Sequence, residues 1–503
     1  MNIEYICHAC LVIETEDLRI ATDPWISGAA NCGQWHIFPK PVNAEKLLDV
    51  NAILISHGHE DHLHEESLRM LPKAAQVFYP YTFFGGAKEY IESIGYRNVI
   101  EAVTLRKYQI SEKTAVTFVI NSHDSLMVIE SGGKVLVNVN DALHSYPEKV
   151  IDFYLGMLKE RWPVIDYVFC GFGGSSYFPN TMHLAGKDDV EIGFAREQLF
   201  ANNFCRIVKG LRPKAAVPFA VDFVLLDEKH DWINKVRFRR SKISEYYDRY
   251  FAGSGYRPQI LPMYSGDRME DGEIVKLSPY HEQMIDGELG HLVEKQYSDE
   301  IKSRRRKKFI TDAEADILIS EVKANVERRM TLYKPWEIDG VNFCLQITDL
   351  ERNNYFHVAL NDEKAKVWRA DAPATECLLM MSLTSKVLSY SIGSDWGADV
   401  ISVGYGAEIF ISDNKAAEVD MERVCMNLLA CYPTVSDLKK SPIRTLQFLL
   451  LNPPKFTTSI RKLKKFNLES ENYDRKTWLL KNSNEIRQIY DLPELDPQFL
   501  PAK

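Results

Sequence analysis

The stretch Ile53-Leu54-Ile55-Ser56-His57-Gly58-His59-Glu60-Asp61-His62 constrains the fold more than any other part of this 503-residue sequence. An apolar run ends there, and six residues then supply three histidines and an aspartate. Ala52 to Ile55 reads as a buried strand, and the polar cluster as the loop leaving it. Neutral imidazoles with a carboxylate suit zinc, iron or manganese better than calcium or magnesium. His57 and His59 alternate, so a tightly turned backbone can aim both at one ion. Asp61 and His62 follow after a bend and are placed to serve a second. The spacing predicts a metal site.

Composition narrows the setting. A chain of this length supports two or three domains, and its 45% hydrophobic and 26% charged residues are those of an ordinary globular protein. The net charge of −9 argues against a nucleic-acid-binding protein, so acidic substrates would need local basic pockets. Nine scattered cysteines, an odd number, do not form a disulfide framework. Met1-Asn2-Ile3-Glu4 runs directly into a strand pattern, and no apolar run reaches membrane-spanning length. The expectation is a cytoplasmic protein with no membrane partner.

Taken in order, Ile3 to Thr15 reads as one strand and Leu18 to Thr22 as a second, turned at Glu16-Asp17. Cys7-His8-Ala9-Cys10 falls inside the first strand, with no second cysteine pair, so its cysteines read as structural. No Cys-x-His with Cys-x-x-His set is present, so no Rieske cluster is encoded. Trp35, His36 and Phe38 suit a pocket rim. Strands at Ala115 to Ile120, Leu126 to Glu130 and Val135 to Val139 bracket a second polar cluster, Asn121-Ser122-His123-Asp124-Ser125, and end in Asn138-Val139-Asn140-Asp141. A helix is expected over Lys149 to Glu160, a strand over Val164 to Cys170, a long amphipathic helix over Val190 to Lys209 and a strand over Ala215 to Phe219. Gly171 to Tyr177 is glycine-rich, a tight turn or an anion cradle. Arg304-Arg305-Arg306-Lys307-Lys308 reads as a solvated linker face. Beyond it, helices are expected over Asp312 to Tyr333 and Glu376 to Ile392, and strands over Val341 to Leu350, Tyr355 to Leu360, Ala365 to Arg369 and Val400 to Phe410.

His-x-His-x-Asp-His after a hydrophobic strand resembles the signature of the metallo-β-lactamase superfamily. The resemblance implies an α/β fold, the αβ/βα sandwich with a one- or two-metal centre, expected over residues 1–300; the strand and helix patterns beyond it read as a smaller α+β module over 301–503, expected to form a pocket wall. It also raises His123 and Asp141 to metal ligands, since the superfamily places its third histidine and bridging aspartate there. Superfamily hydrolases carry a last histidine after the strand that here runs into Pro218-Phe219-Ala220-Val221-Asp222-Phe223, which has none. Asp222, His230 or a water is the candidate replacement. Several segments together, Thr22-Asp23-Pro24-Trp25, Gly173-Gly174-Ser175-Ser176-Tyr177-Phe178-Pro179, Pro218-Phe219-Ala220 and Trp396 to Tyr405, resemble the cytidine monophosphate-N-acetylneuraminic acid hydroxylases, without their Rieske domain.

Two activities follow. In the first, an iron-dependent oxygenase, His57, His59 and His123 hold one iron, and Asp61, His62 and Asp141 hold or bridge a second. Electrons come from a separate reductase or ferredoxin, and the substrate is a small polar molecule. In the second, a zinc hydrolase, a metal-bound water attacks an ester, lactone, amide or phosphodiester, with Asp61 as the catalytic group that orients it.

Overall fold

The computed structural model describes residues 1–411 except 83–84, 122–123, 147, 175–180, 184–188, 254, 287–288, 307, 332, 334–337, 362–363, 375–376, 378 and 395–396; it also describes 428–430, 442–451, 496 and 498–499. Two mixed sheets dominate. The first has eight strands, in spatial order Glu273–Val275, Arg268–Glu270, Asn2–Cys7, Cys10–Glu14, Arg19–Thr22, Ala52–Leu54, Gln76–Pro80 and Val99–Ala102. The second has seven, in order Gln259–Ile260, Ala215–Phe219, Tyr167–Gly171, Lys134–Asn140, Asp124–Ser131, Thr114–Asn121 and Lys107–Gln109.

Alternation along the strands explains how these sheets pack. Ile3, Tyr5, Leu11, Ile13, Ala52 and Leu54 share one core with Val116, Phe118, Met127, Val137, Val168 and Val217 of the second sheet. Their sequence neighbours Ile6, Cys10, Val12, Ile53 and Ile55 point the other way, into a cluster with Leu68 and Ile91 of the helices Glu65–Met70 and Ala87–Ser93. A side-chain period of two thus gives each strand a sheet-facing and a helix-facing side. The helices Glu148–Arg161 and Asp189–Leu211 add Ile151, Tyr154, Leu158, Phe204 and Val208 to the shared core from beyond the second sheet. The result is helix, sheet, sheet, helix.

Three local expectations are corrected. Ile3 to Thr15 is two strands, reversed at His8-Ala9, with Cys7 and Cys10 facing each other across the turn. Both thiols are buried and unbridged, and burial pushes them well above the ordinary thiol range. Within 376–392 the chain forms a strand, Leu379–Leu383, before a helix, Ser385–Gly393. Within 400–410 a short helix, Gly397–Ile401, precedes the strand Ala407–Ile411.

A third sheet of six strands runs Met182–His183, Ala407–Ile411, Leu379–Leu383, Asn342–Ile347, Tyr355–Asn361 and Lys364–Ala370. Its edge strand comes from the earlier part of the chain, pairing Met182 with Ile409 and His183 with Phe410. The helix Asp312–Met330 opens with a capping box from Thr311 and Glu314 and packs Leu318, Val322 and Val326 into this sheet's core. No helix among the described residues is long and apolar enough to cross a membrane.

Candidate metal centre

The strand Ala52–Leu54 gives out at Ile55, and the chain turns back on itself, with the His62 and Leu63 amides donating to the His59 carbonyl at 3.0 and 2.8 Å. This turn places four side chains of one loop in a small volume. His57 Nε2 and His59 Nδ1 meet at 2.8 Å, and His57 Nε2 lies 3.8 Å from Asp124 Oδ1. His62 Nε2 faces Asp61 Oδ2 at 3.2 Å and Asp141 Oδ2 at 3.4 Å, hydrogen-bonding to neither. Three groups of ligand atoms each lie within 4.8 Å of one another: His57, His59 and Asp124; His57, His62 and Asp141; and His8, Asp61 and His62.

Five of the six expected ligands, His57, His59, Asp61, His62 and Asp141, therefore converge. His123 lies outside the described residues; its neighbour Asp124 is in the first group. His8 belongs to the centre and was missed from sequence. It occupies the tight turn between Asn2–Cys7 and Cys10–Glu14 with a φ of 48°, and its Nε2 lies 3.0 Å from Asp61 Oδ2. The stretch expected to carry a last histidine holds that turn instead. Ala220 N donates to the His8 carbonyl at 3.0 Å, and His8 N donates to Asp222 Oδ2 at 3.1 Å.

Asp222 lies outside all three groups. Its carboxylate is taken up by Arg240 at 2.6 Å and by the Tyr5 hydroxyl, a buried pair beneath the His8 turn. His230 is also outside them. Its Nε2 stands 3.7 Å from Glu408 Oε1, and burial, with Lys229 beside it, pushes its pKa down to about 4.

A polar scaffold sets the imidazole orientations. Asp23, fully buried, accepts from Ser56 N at 2.7 Å and from Ser56 Oγ at 2.8 Å, and Asn140 Nδ2 donates to the same carboxylate. Asp23 Oδ2 lies 3.2 Å from His62 Nδ1, and Ser56 Oγ lies 2.9 Å from His57 Nδ1. Both rings therefore turn Nε2 inward, the arrangement that outer-shell partners impose on metal-binding histidines. A Cβ at Gly171 would sit 3.1 Å from the Asn140 carbonyl and 3.4 Å from Asp141 Oδ1, so a larger residue there would press on the Asn140-Asp141 backbone and carboxylate.

The donor set fits a transition-metal cation. Burial by itself would lower His62, but Asp61 and Asp141 carry it well above the ordinary imidazole range. Burial by itself would raise Asp61, but His62 and His8 hold it well below the carboxylate range. His59 reaches about 9 against burial, through Asp399, Asp124 and Asp61. A buried field this negative, lined by imidazole nitrogens and carboxylate oxygens, is stabilised by protons or by a multivalent cation in their place.

Beside the centre lies an aromatic wall. The Phe223 ring is sandwiched between Trp35, stacked at 3.8 Å, and the Arg237 guanidinium at 3.9 Å, with the His8 ring 6.2 Å from it. Tyr405 stands 6.3 Å from Trp35. Arg237 Nη1 donates to the Val221 and Phe223 carbonyls at 3.0 and 2.6 Å, while its buried Nη2 has no hydrogen-bond partner among the described residues.

The profile of the Beta-lactamase superfamily domain matches residues 2–146. The cytidine monophosphate-N-acetylneuraminic acid hydroxylase of Danio rerio is 26% identical over 258 residues, 48% of this chain and 41% of that one. Its Mus musculus counterpart is 26% identical over 241 residues, 44% of this chain and 39% of that one. The matches thus span about two-fifths of those relatives. Among solved structures, CmlA, a diiron beta-hydroxylase from Streptomyces venezuelae, is 16% identical with a TM-score of 0.36, covering 55% of this chain and 54% of that one. An isothiocyanate hydrolase from Delia radicum gut bacteria is 16% identical with a TM-score of 0.38, covering 54% and 98%. The chain resembles the metallo-β-lactamase superfamily, and its two helix-backed sheets are that superfamily's αβ/βα sandwich.

Proposed function

We propose that this protein is a metal-dependent oxygenase that hydroxylates a small polar substrate at a two-iron centre, with electrons from a separate reductase or ferredoxin. The reading is supported by one observation above the rest. Four imidazoles and three carboxylates interleave in overlapping groups, in a chain of which about half resembles curated hydroxylases. His57 and His59, with Asp124 and His123, are the residues that would hold one ion. Asp61, His62 and His8 would hold the other, with Asp141 between them, and His8 takes the part of the absent last histidine. Iron in such a set supplies activation of dioxygen.

The chain's own residues do the remaining work. Asp23 and Ser56 hold His62 and His57 in the tautomers that turn Nε2 toward the cluster. Trp35, Phe223 and Tyr405 exclude water from one side. Arg237, with no carboxylate within ion-pair distance among the described residues, braces the Phe223 ring from its guanidinium side. Asp61, held as a carboxylate by His62 and His8, would serve as a ligand here, and in the hydrolase reading it would orient the attacking water.

A zinc-dependent hydrolase of an ester, lactone, amide or phosphodiester is the second reading, favoured by the predominance of imidazole donors. Elemental analysis of protein expressed with iron freely supplied, with an optical spectrum in air, separates the two. About two irons per chain, lost together with activity in His59→Ala, is the expected result. Zinc alone, with turnover of a generic ester or phosphodiester, transfers the assignment to the hydrolase, and metal content unchanged in His59→Ala removes the centre itself.

A further inference from the structure

His57 and His62 each turn one nitrogen into the cluster and the other onto a local partner, Ser56 and Asp23. His59 is built differently. Its Nδ1 meets His57 Nε2 at 2.8 Å, so Nδ1 is the inward nitrogen, and its Nε2 points outward to Asp399 Oδ2 at 3.7 Å. Asp399 belongs to the helix Gly397–Ile401, far along the chain from the metal loop.

We propose that Asp399 is a positioning residue for the metal centre. Its carboxylate holds the Nε2 proton of His59, fixes Nδ1 as the metal-binding nitrogen, and makes ion binding at His57 and His59 depend on the 397–406 segment. The inference rests on the metal-centre reading above. Three observations carry it. Asp399 is only 7% exposed, and His59 is its sole ion-pair partner among the described residues. A buried carboxylate without a cationic or hydrogen-bonding partner is costly, so this pairing accounts for its presence. The segment bearing Asp399 is pinned against the metal domain. A Cβ at Gly404 would come within 3.0 Å of Asn31 Cβ, and buried Tyr405 packs beside Trp35 and His230. The Asp399 carbonyl also accepts from Gly404 N at 2.7 Å, tying the helix to that contact. Closing 3.7 Å to hydrogen-bond length takes a movement under about 1 Å.

The test loads metal-free full-length protein with zinc or cobalt(II) against a competing chelator. Asp399→Asn, which keeps the shape and removes the charge, should weaken the ion at His57 and His59 by about 10- to 100-fold. It should also alter the cobalt visible spectrum, a change that a loss of fold stability alone would not produce. Wild-type affinity and spectrum in Asp399→Asn overturn the inference and leave the metal centre standing. A wild-type protein that takes up neither ion overturns the metal centre, and the inference with it. Should Asp399→Asn fail to fold, imidazole nitrogen resonances of the zinc-loaded wild type decide. His59 protonated at Nε2 and bound through Nδ1 supports the proposal, and binding through Nε2 overturns it.

Discussion

Replacing Glu197 with Gln should stabilise the protein, and by more at alkaline than at acid pH. Glu197 lies on the helix Asp189–Leu211, is 5% exposed, and accepts Phe238 N at 3.2 Å beneath the Gly173-Gly174 turn. Burial pushes its pKa from 4.5 up to about 7; Arg237, the Phe238 and Gly174 amides and Arg196 oppose that rise without cancelling it. The folded form therefore keeps a proton, between pH 4.5 and about 7, that the unfolded chain releases. Stability of the wild type falls as pH climbs through that window and stays lower above it. At about 1.4 kcal/mol per pKa unit, the full penalty is about 3 kcal/mol at pH 8 and about 1 kcal/mol at pH 5. Gln retains an oxygen for the two amides and has no charge to bury. For a cooperative unit of about 200 residues, each kcal/mol moves the melting temperature by about 2–4 °C. Glu197→Gln should then melt about 6–12 °C above wild type at pH 8 and about 2–4 °C above it at pH 5, read by scanning calorimetry. An offset that is equal at both pH values, or that shrinks as pH rises, refutes the reasoning.

Three further outcomes are expected. His8→Ala should lower metal content from two ions per chain to one, since Asp61 and His62 lose their third partner; elemental analysis that still finds two refutes the role of His8. Asp222→Ala strands Arg240 in the core and frees the His8 amide, which should cost about 3–5 kcal/mol in denaturant unfolding. A loss below about 1 kcal/mol would mean that water reaches Arg240. Gly397→Ala drives a Cβ into the Ser391 carbonyl oxygen and should lower the melting temperature of the metal-free protein by several degrees, at about 2 kcal/mol or more; an unchanged melting temperature refutes that contact.

The parts of the centre that could be read in the sequence are those whose ligands are local. His57, His59, Asp61 and His62 share one loop after one apolar strand, so spacing alone groups them. His8 could not be read this way. The run from Ile3 to Thr15 reverses at His8-Ala9 without glycine, proline or asparagine, and both strand faces are buried, so His8 is the one polar residue at the turn and looks like part of a strand. The helix expected over Glu376 to Ile392 is interrupted by Leu379–Leu383, rich in helix-favouring leucine and methionine, because that segment lies between two partners in the third sheet, where tertiary pairing overrides propensity. The signal that it ends before the next helix was present in Thr384, whose hydroxyl caps Val387 N at 3.3 Å. Asp23 was noticed as part of a pattern, but its place beneath His62 depends on the pairing of Arg19–Thr22 with Ala52–Leu54. Asp399 reaches His59 only through packing, which no spacing encodes.

The hold of Asp222 on the His8 amide spans 214 positions of sequence. During synthesis at about 5–20 residues per second, the His57–His62 loop leaves the ribosome well before that contact exists, and His8 itself waits roughly 10–40 s for its partner. The nascent chain therefore presents the His57–His62 loop before the His8 turn is fixed by Asp222. Contacts of such high sequence separation also form late in refolding. In the proposed two-ion centre, the surroundings of His8 would therefore be the last to reach their final geometry.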